Sequence, residues 1–362
     1  MTIDAGCKTT AMGIMPHTDI DRALELALGL DIPFFPQLPK VDFHEDMYAQ
    51  ASQNFPGIDV DVPHERVDFD TERFYQELSD YIERMADAQT FDLTSEYSVV
   101  YHRFLEQALG GYEAIRGQLT GPVSFGFKVV DQNKKPIIYD DEIRTILFDF
   151  LQRKANVQYR QLKEKNGNAF VWLDEPGLGW VFSGLSGYLD EQAKRDYRGF
   201  IDGLDGPKAL HLCANVNLPY LLSLGLDILS FDAYQIELMP KGYARAVADF
   251  IVAGGILCWG IVPTDSTGLG AETADSLAQR LIDYWNVVAQ NSDTTTERIA
   301  RQALIAPARC CLKNIGQVGA SEESSPQSGA SCGLSSIEEE LVEKAFGVIK
   351  EVSYILRDKY GV

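Results

Sequence analysis

Apolar residues along the chain form two patterns, short continuous runs and longer stretches in which they recur every three or four positions. The short runs predict buried parallel strands, since a strand covered on both faces is apolar throughout. Eight such runs occur: Thr9–Met15, Pro33–Gln37, Leu119–Phe125, Ala169–Leu173, Lys208–Leu212, Leu226–Phe231, Ile256–Ile261 and Ala303–Ala306. The longer stretches predict amphipathic helices between the strands. They are Asp19–Leu30, Thr71–Ala88, Asp141–Lys165, Asp190–Leu204, Leu218–Leu224, Lys241–Ala253, Thr273–Ala289 and Ile337–Tyr360.

Eight strand–helix units predict an α/β protein with a (β/α)8 TIM barrel, in a single domain over residues 1–362. An open doubly wound sheet is the alternative, and the absence of Gly-x-Gly-x-x-Gly after the first strand disfavours it. The acidic, aromatic segment Pro39–Phe69 is interpreted as a long loop after strand 2, over one barrel face. The small, polar residues of Ser321–Ala330 predict a mobile insertion after strand 8.

Composition narrows the classes of partner. The chain has 362 residues, of which 45% are hydrophobic and 23% charged, as expected of a folded domain rather than a disordered one. Its net charge of −21 disfavours nucleic acid as a partner, because phosphate binding needs clustered Lys and Arg. No apolar run approaches the roughly 20 residues of a membrane span, and no signal-peptide pattern opens the sequence. We therefore expect no membrane partner and a cytoplasmic location.

Several potential metal ligands follow predicted strands, where the active sites of barrels lie. His211 and Cys213 end the fifth strand in a His-x-Cys spacing that puts both side chains on one side of an extended chain. Asp232 ends the sixth strand, Cys310 follows the eighth, and Cys332 follows the insertion. One histidine, two thiolates and one carboxylate would complete a tetrahedral zinc shell. The alternative is that the cysteines are buried thiols and Asp232 caps a helix.

Other candidate residues flank this cluster. Asp174 and Glu175 follow the fourth strand and predict catalytic proton transfer or binding of a substrate ammonium group, with a helix cap as the alternative. Gly13 allows a ligand to approach the backbone closely. His17 is a substrate contact or a solvated loop histidine, and Tyr234 a pocket wall or a packing residue.

Five motifs together resemble the catalytic domain of cobalamin-independent methionine synthase, whose superfamily also holds uroporphyrinogen decarboxylase and corrinoid-dependent methyltransferases. They are Thr-Thr-x-x-Gly-x-x-Pro-x-Thr at Thr9–Thr18, Leu-Thr-Gly-Pro-Val at Leu119–Val123, Asp-Glu-Pro at Asp174–Pro176, His-x-Cys at His211–Cys213 and Cys-Gly-Leu at Cys332–Leu334. They occur in the family's order. The resemblance implies a barrel in which Zn²⁺ binds the thiol of an acceptor such as homocysteine, for methyl transfer in methionine biosynthesis.

Carried over to this sequence, the resemblance implies a set of metal ligands. His211 and Cys213 resemble the first two, and Asp232 stands where the family has a glutamate. The last ligand is Cys332 or Cys310, and the Ser-Cys-Gly-Leu context favours Cys332. The implied substrate-binding residues are Met12, Gly13, Ile14, His17, Asp174 and Tyr234.

Departures from the family bear on the substrates. Ile14 replaces a serine that helps hold the amino acid, and Lys128 occupies the place of a tryptophan that stacks on folate. The resemblance implies a small thiol substrate and either of two methyl donors, methyl-folate or a methyl-corrinoid protein. These departures favour the methyl-corrinoid protein. Two alternatives stay open. One is a decarboxylase without zinc, which would need basic residues at the strand ends. The other is a non-catalytic zinc- or thiol-binding partner of a corrinoid protein.

Overall fold

Parallel strands alternate with helices in the computed structural model. It describes residues 3–181, 187–188, 190–213, 217–311 and 331–362, apart from the side chains of Asp190 and residues 331–337. The strands are β1 (Lys8–Thr9), β2 (Ile58–Asp61), β3 (Arg66–Phe69), β4 (Ile115–Thr120), β5 (Ala169–Asp174), β6 (Lys208–Leu212), β7 (Ile228–Asp232), β8 (Ile256–Val262) and β9 (Ala303–Pro307). The helices are α1 (Ile20–Leu28), α2 (Met47–Ser52), α3 (Thr71–Arg84), α4 (Val99–Leu105), α5 (Pro122–Lys128), α6 (Asp141–Lys165), α7 (Leu178–Val181), α8 (Asp190–Asp202), α9 (Leu218–Leu221), α10 (Lys241–Val252), α11 (Ser266–Ala271), α12 (Ala274–Gln290), α13 (Thr296–Arg301) and α14 (Ser331–Tyr360).

The central sheet is parallel and curled, with seven strands in the order β1-β9-β8-β7-β6-β5-β4. The segment 32–37 lies between its two edges. The Ile32 N–H donates to the Thr9 carbonyl oxygen beside β1, and the Arg116 N–H of β4 donates to the Pro33 carbonyl oxygen, both at 3.0 Å. The prediction of an α/β protein with a parallel sheet is thus confirmed, and the curled sheet is consistent with a TIM-barrel-like fold. The single-domain assignment stays a prediction.

Long helices follow the sequence pattern closely. Helix α6 has the predicted bounds because Asp140 caps it, accepting the N–H groups of Glu142 and Ile143. Lysines in its last turn complement the negative end of the helix dipole. Among the described residues, no helix combines the length and apolar character needed to cross a bilayer.

The predicted strand Leu119–Phe125 is wrong in position. The strand is β4, Ile115–Thr120, and the chain turns at Gly121 into α5, with Pro122 in its first turn. The apolar pattern did not indicate the first half of β4, because Arg116 and Gln118 are polar although both are buried. The apolar run extends beyond the end of β4 because the residues of α5 are buried too. Pro122 is compatible with the first turn of this helix, since proline is favoured there.

Two other predicted strands are shorter than expected. Thr9–Met15 contributes only Thr9 to β1, and Pro33–Gln37 pairs at isolated positions, Phe34 with Arg116 and Gln37 with Ile14. Proline has no N–H to donate. The prolines at 33 and 36 therefore interrupt any continuous ladder there.

The segment Pro39–Phe69 is not the irregular loop that we predicted. It contains α2, which Asp46 caps, and an antiparallel hairpin of β2 and β3 that pairs Ile58 with Phe69. Charged residues, mostly aspartates, alternate with apolar residues in both strands. We did not recognise this period-two pattern, because acidic residues are uncommon in strands. The predicted insertion Ser321–Ala330 lies outside the described residues.

The interior of the curled sheet contains a buried cation beside apolar side chains. Arg116 is 1% exposed, and its guanidinium lies between the rings of Phe34 and Trp172, 4.7 and 4.4 Å from their centroids. It also donates to Thr10 Oγ1 and Gln118 Oε1. Cation–π contacts and hydrogen bonds thus offset part of its desolvation.

A second buried cation lies between α6 and β4. Lys154 is 3% exposed and lines a small cavity with Gln50, Phe91, Leu93, Gln118, Leu119 and Gln158. Among the described residues, its Nζ has one hydrogen bond, of 3.4 Å, to the Gln53 carbonyl oxygen. Burial lowers the pKa of Lys154 to about 7, only partly opposed by the Asp92 carboxylate.

We predict that Lys154→Met stabilises the protein at pH 6 by about 1–3 kcal/mol, because it removes a poorly solvated ammonium group without changing the side-chain volume much. The folded-state pKa of about 7 lies below the ordinary value of 10.5. The penalty is therefore full below pH 7 and is lost as the pH rises towards 10.5. Urea unfolding at several pH values measures this difference. Lys163→Met, an exposed substitution on the same helix, should change stability by less than about 0.5 kcal/mol. If the stability difference between Lys154→Met and the wild type does not shrink as the pH rises above 7, the lowered pKa of Lys154 is wrong.

Candidate metal centre

The carboxyl ends of neighbouring strands bring the candidate ligands together. In the parallel register Asp174 of β5 pairs with His211 of β6, and His211 pairs with Ser230 of β7. These three residues therefore lie at one level of the sheet. Cys213 follows β6 directly, and Cys310 lies three residues beyond the end of β9.

Three side chains converge at this edge of the sheet. One ligand atom from each of His211, Cys213 and Cys310 lies within 4.8 Å of the other two. His211 is buried and the two cysteines are partly buried, with both thiols free. Around zinc, bond lengths of 2.0–2.3 Å separate tetrahedral ligand atoms by about 3.5 Å. The cluster could thus hold a metal ion such as zinc after small side-chain adjustments.

The orientation of His211 suits metal binding. Its Nδ1 lies 3.0 Å from Ser230 Oγ, while Nε2 is buried without a hydrogen-bond partner in the described part of the chain. Metal-ligating histidines commonly engage the second ring nitrogen in this way, which fixes the ring and its tautomer. Trp172 holds the ring from the side in an edge contact, with centroids 5.8 Å apart. A metal ion that binds nitrogen and sulfur would give this buried nitrogen a partner, which the described residues do not.

The two cysteines titrate as a pair. A hydrogen bond from Cys310 lowers the pKa of Cys213 well below its usual value, and His211 adds to this against the opposing effect of burial. The same bond raises the pKa of Cys310. Burial lowers the pKa of His211, but the Cys213 sulfur and the Asp174 carboxylate outweigh it and raise the pKa overall. The arrangement therefore favours a thiolate on Cys213 and a thiol on Cys310, and a metal ion bound by both sulfurs would displace the remaining proton.

The adjacent carboxylates have different surroundings. Burial raises the pKa of Asp174 to about 6, and His211 and Arg116 oppose that rise. Glu175 is fully buried and accepts hydrogen bonds from the N–H groups of Val123 and Ser124 and from Ser124 Oγ, the last at 2.6 Å. Its own N–H donates to the His211 carbonyl oxygen at 2.9 Å. Glu175 thus joins α5 to β6 beneath the cluster.

Asp232 lies next to the cluster but is paired elsewhere. Its carboxylate forms a 2.7 Å ion pair with Arg309 and accepts the Gln235 N–H at 3.0 Å. It is outside the three-residue group defined by the 4.8 Å limit. The assignments of Asp232 as third ligand and of Cys332 as last ligand stay predictions. The side chain of Cys332 lies outside the described residues.

The predicted substrate contacts occupy varied environments. Met12 and Ile14 are buried apolar residues, and a Cβ on Gly13 would lie 2.0 Å from Gln118 Nε2. The absence of a side chain at Gly13 therefore makes room for the side chain of Gln118. His17 is 1% exposed, and neither ring nitrogen has a hydrogen-bond partner among the described residues.

Tyr234 also contacts other side chains of the protein. Its hydroxyl donates to Glu272 at 3.2 Å, and its ring lies under the Arg280 guanidinium at 4.7 Å. The roles of Tyr234 and of the other predicted substrate contacts, like those of Asp174 and Glu175 in catalysis, stay predictions.

Sequence reasoning missed two residues close to the cluster. Ser230 precedes Asp232 by two positions on β7, so strand alternation could have placed both on the same face. Tyr48 gave no comparable signal, because it lies in α2 within the segment that we interpreted as a loop.

Comparison with known proteins gives a likeness in structure but none in sequence. No family model matches the chain, and no curated protein matches it. Among solved structures, it is similar to a B12-independent methionine synthase from Shewanella sp. W3-18-1, a structure in complex with selenomethionine. The TM-score is 0.41 and the sequence identity 14%, over 68% of this chain. The match spans 63% of that protein's length.

We predict that Cys213 of the metal-free protein is alkylated by iodoacetamide at lower pH than an ordinary thiol, since the Cys310 hydrogen bond and His211 favour its thiolate. Cys310→Ala should move the midpoint of Cys213 alkylation to higher pH. Peptide mass spectrometry after labelling across a pH series measures the midpoint. Cys7→Ala, which removes a buried thiol whose pKa burial raises to about 12, serves as control. An unchanged midpoint in Cys310→Ala would show that Cys310 is not the donor.

Proposed function

We propose that this protein is a zinc-dependent methyltransferase that activates a small thiol, such as homocysteine, for methyl transfer. The convergence of His211, Cys213 and Cys310 supports this most directly. One imidazole and two thiols form a donor set that suits zinc. The five motifs that resemble methionine synthase support the choice of reaction.

The cluster has the composition of a catalytic zinc site. Three protein ligands leave a coordination position for substrate, whereas structural zinc sites are closed by four. Zinc bound there would supply the positive charge that keeps a substrate thiol deprotonated near neutral pH. Asp232 and Cys332 remain alternative proposals for a fourth ligand, which the incoming substrate thiol would have to displace.

The chain's own residues supply orientation and charge. Ser230 fixes the His211 ring, and the hydrogen bonds of Glu175 hold β6 against α5. Asp174, whose pKa is about 6, is mostly ionised above that pH and is placed to attract the ammonium group of an amino-acid thiol. Alignment of substrate sulfur and methyl donor would provide much of the remaining rate enhancement.

The methyl donor is part of the proposal. Lys128 stands where the methionine synthase family has a tryptophan that stacks on folate. We therefore propose a methyl-corrinoid protein as the donor, in preference to methyl-folate. It would approach the carboxyl ends of β5 to β7, where the cluster lies.

We predict about one zinc per chain in protein purified without chelators. His211→Ala, Cys213→Ser and Cys310→Ser should each reduce the zinc content to background, because two remaining ligands hold the ion poorly. Ser230→Ala should weaken zinc affinity about 10–100-fold, because the His211 ring loses the hydrogen bond that orients it. Elemental analysis and competition with a chromophoric chelator measure both quantities.

Cys311→Ser is the matched control, since Cys311 adjoins Cys310 but is not part of the cluster. It should retain full zinc. Cys332→Ser tests the proposed fourth ligand in the same assay. Full zinc in all three cluster variants would refute the metal centre.

Methyl transfer from methylcobalamin to L-homocysteine, followed by methionine formation, tests the reaction itself. We expect turnover in zinc-loaded protein and its loss in Cys213→Ser. Zinc-loaded protein that binds the thiol without forming methionine would indicate the non-catalytic alternative.

A further inference from the structure

Tyr48 has a buried hydroxyl without a hydrogen-bond partner in the part of the chain that the structure describes. The residue is 6% exposed, and its Oη makes no hydrogen bond within the described part of the chain. A buried hydroxyl left unpaired costs about 1–3 kcal/mol, so native proteins rarely keep one without a use for it. The placement of Tyr48 indicates what that use is.

Helix α2 carries Tyr48 over the mouth of the sheet. Thr120, at the carboxyl end of β4, donates from Oγ1 to the Met47 carbonyl oxygen at 3.1 Å. The Tyr48 ring packs against Phe125 of α5, with centroids 6.4 Å apart. The first turn of α5 donates backbone N–H groups to the Glu175 carboxylate. In the sheet register Thr120 pairs with Asp174, which pairs with His211. Tyr48 is therefore fixed at the level of the metal centre, beside a strand end two strands away from His211.

The charges that act on the hydroxyl agree with this location. Burial raises the pKa of Tyr48, and the negative charges of Asp46, Glu175, Cys213 and Asp174 raise it further, in that order. The phenol therefore keeps its proton at physiological pH and is available as an O–H donor.

We propose that Tyr48 Oη donates a hydrogen bond to the ligand bound at the metal centre, and so selects thiols that carry a hydrogen-bond acceptor on their carbon chain. This inference rests on the proposed function, because it assumes that a thiol binds beside Cys213. A ligand acceptor would satisfy the unpaired hydroxyl, and an alkane thiol would leave it unpaired. Discrimination by an unpaired buried polar group is strong for this reason.

We predict that Tyr48→Phe weakens L-homocysteine binding about 10-fold, the loss expected for one hydrogen bond, and leaves 1-propanethiol binding unchanged. Both dissociation constants can be measured on cobalt-substituted protein from the thiolate-to-cobalt absorption band. Metal content should equal that of the wild type, because the ring and its packing stay. The melting temperature of the thiol-free protein should be equal or higher, because the substitution removes an unpaired buried hydroxyl.

Tyr81→Phe is the matched control. Tyr81 is also fully buried with an unpaired hydroxyl among the described residues, but it lies in α3 against Phe150, with centroids 6.2 Å apart. It should leave the affinity for both thiols unchanged.

Three results would overturn the role of Tyr48. They are unchanged homocysteine affinity in Tyr48→Phe, equal weakening for both thiols, and an effect of similar size in Tyr81→Phe. Failure of the proposed function looks different. Wild-type protein would then bind L-homocysteine with the predicted dependence on Tyr48 and 1-propanethiol without it, yet form no methionine.

Discussion

The parallel pairing of β6 with β5 and β7 is the constraint on which the candidate site depends. It aligns Asp174, His211 and Ser230 in one row, so that one strand end offers a carboxylate, the next an imidazole and the third the hydroxyl that orients it. A shift of one residue in any of these strands would turn the row to the opposite face. The amide of Glu175, bonded to the His211 carbonyl, holds this register at the strand ends.

Polar groups are concentrated in the interior of the sheet and at its carboxyl end. Arg116 is buried below the cluster between two aromatic rings, and Glu175 is buried beside it at a helix N-terminus. Each has specific partners, which reduces the cost of removing a charge from water. His211 Nε2 and the Tyr48 hydroxyl differ, since each is buried and unpaired within the described residues. Other buried polar atoms, such as the ring nitrogens of His17, are unpaired as well, but His211 Nε2 belongs to the three-residue cluster.

The sequence pattern predicted long helices and apolar strands better than it predicted polar ones. Helix α6 has the bounds that its apolar period and Asp140 indicated. Strand β4 was misplaced because the burial of Arg116 and Gln118 depends on partners that are distant in sequence, Thr10 and Phe35. Likewise, His-x-Cys spacing indicated His211 and Cys213, but only the fold shows that Cys310 reaches them. Long-range pairing of this kind leaves no local period in the sequence.

The closeness of the Cys213 and Cys310 sulfur atoms also has a consequence for oxidation. Disulfide formation needs the two sulfurs about 2 Å apart, and side-chain rotation can bring thiols already within 4.8 Å much closer. The thiolate character of Cys213 accelerates exchange with external disulfides. A disulfide there would remove both sulfur donors from the cluster at once. The capacity of this protein to hold a metal is thereby linked to the reduction potential of its surroundings.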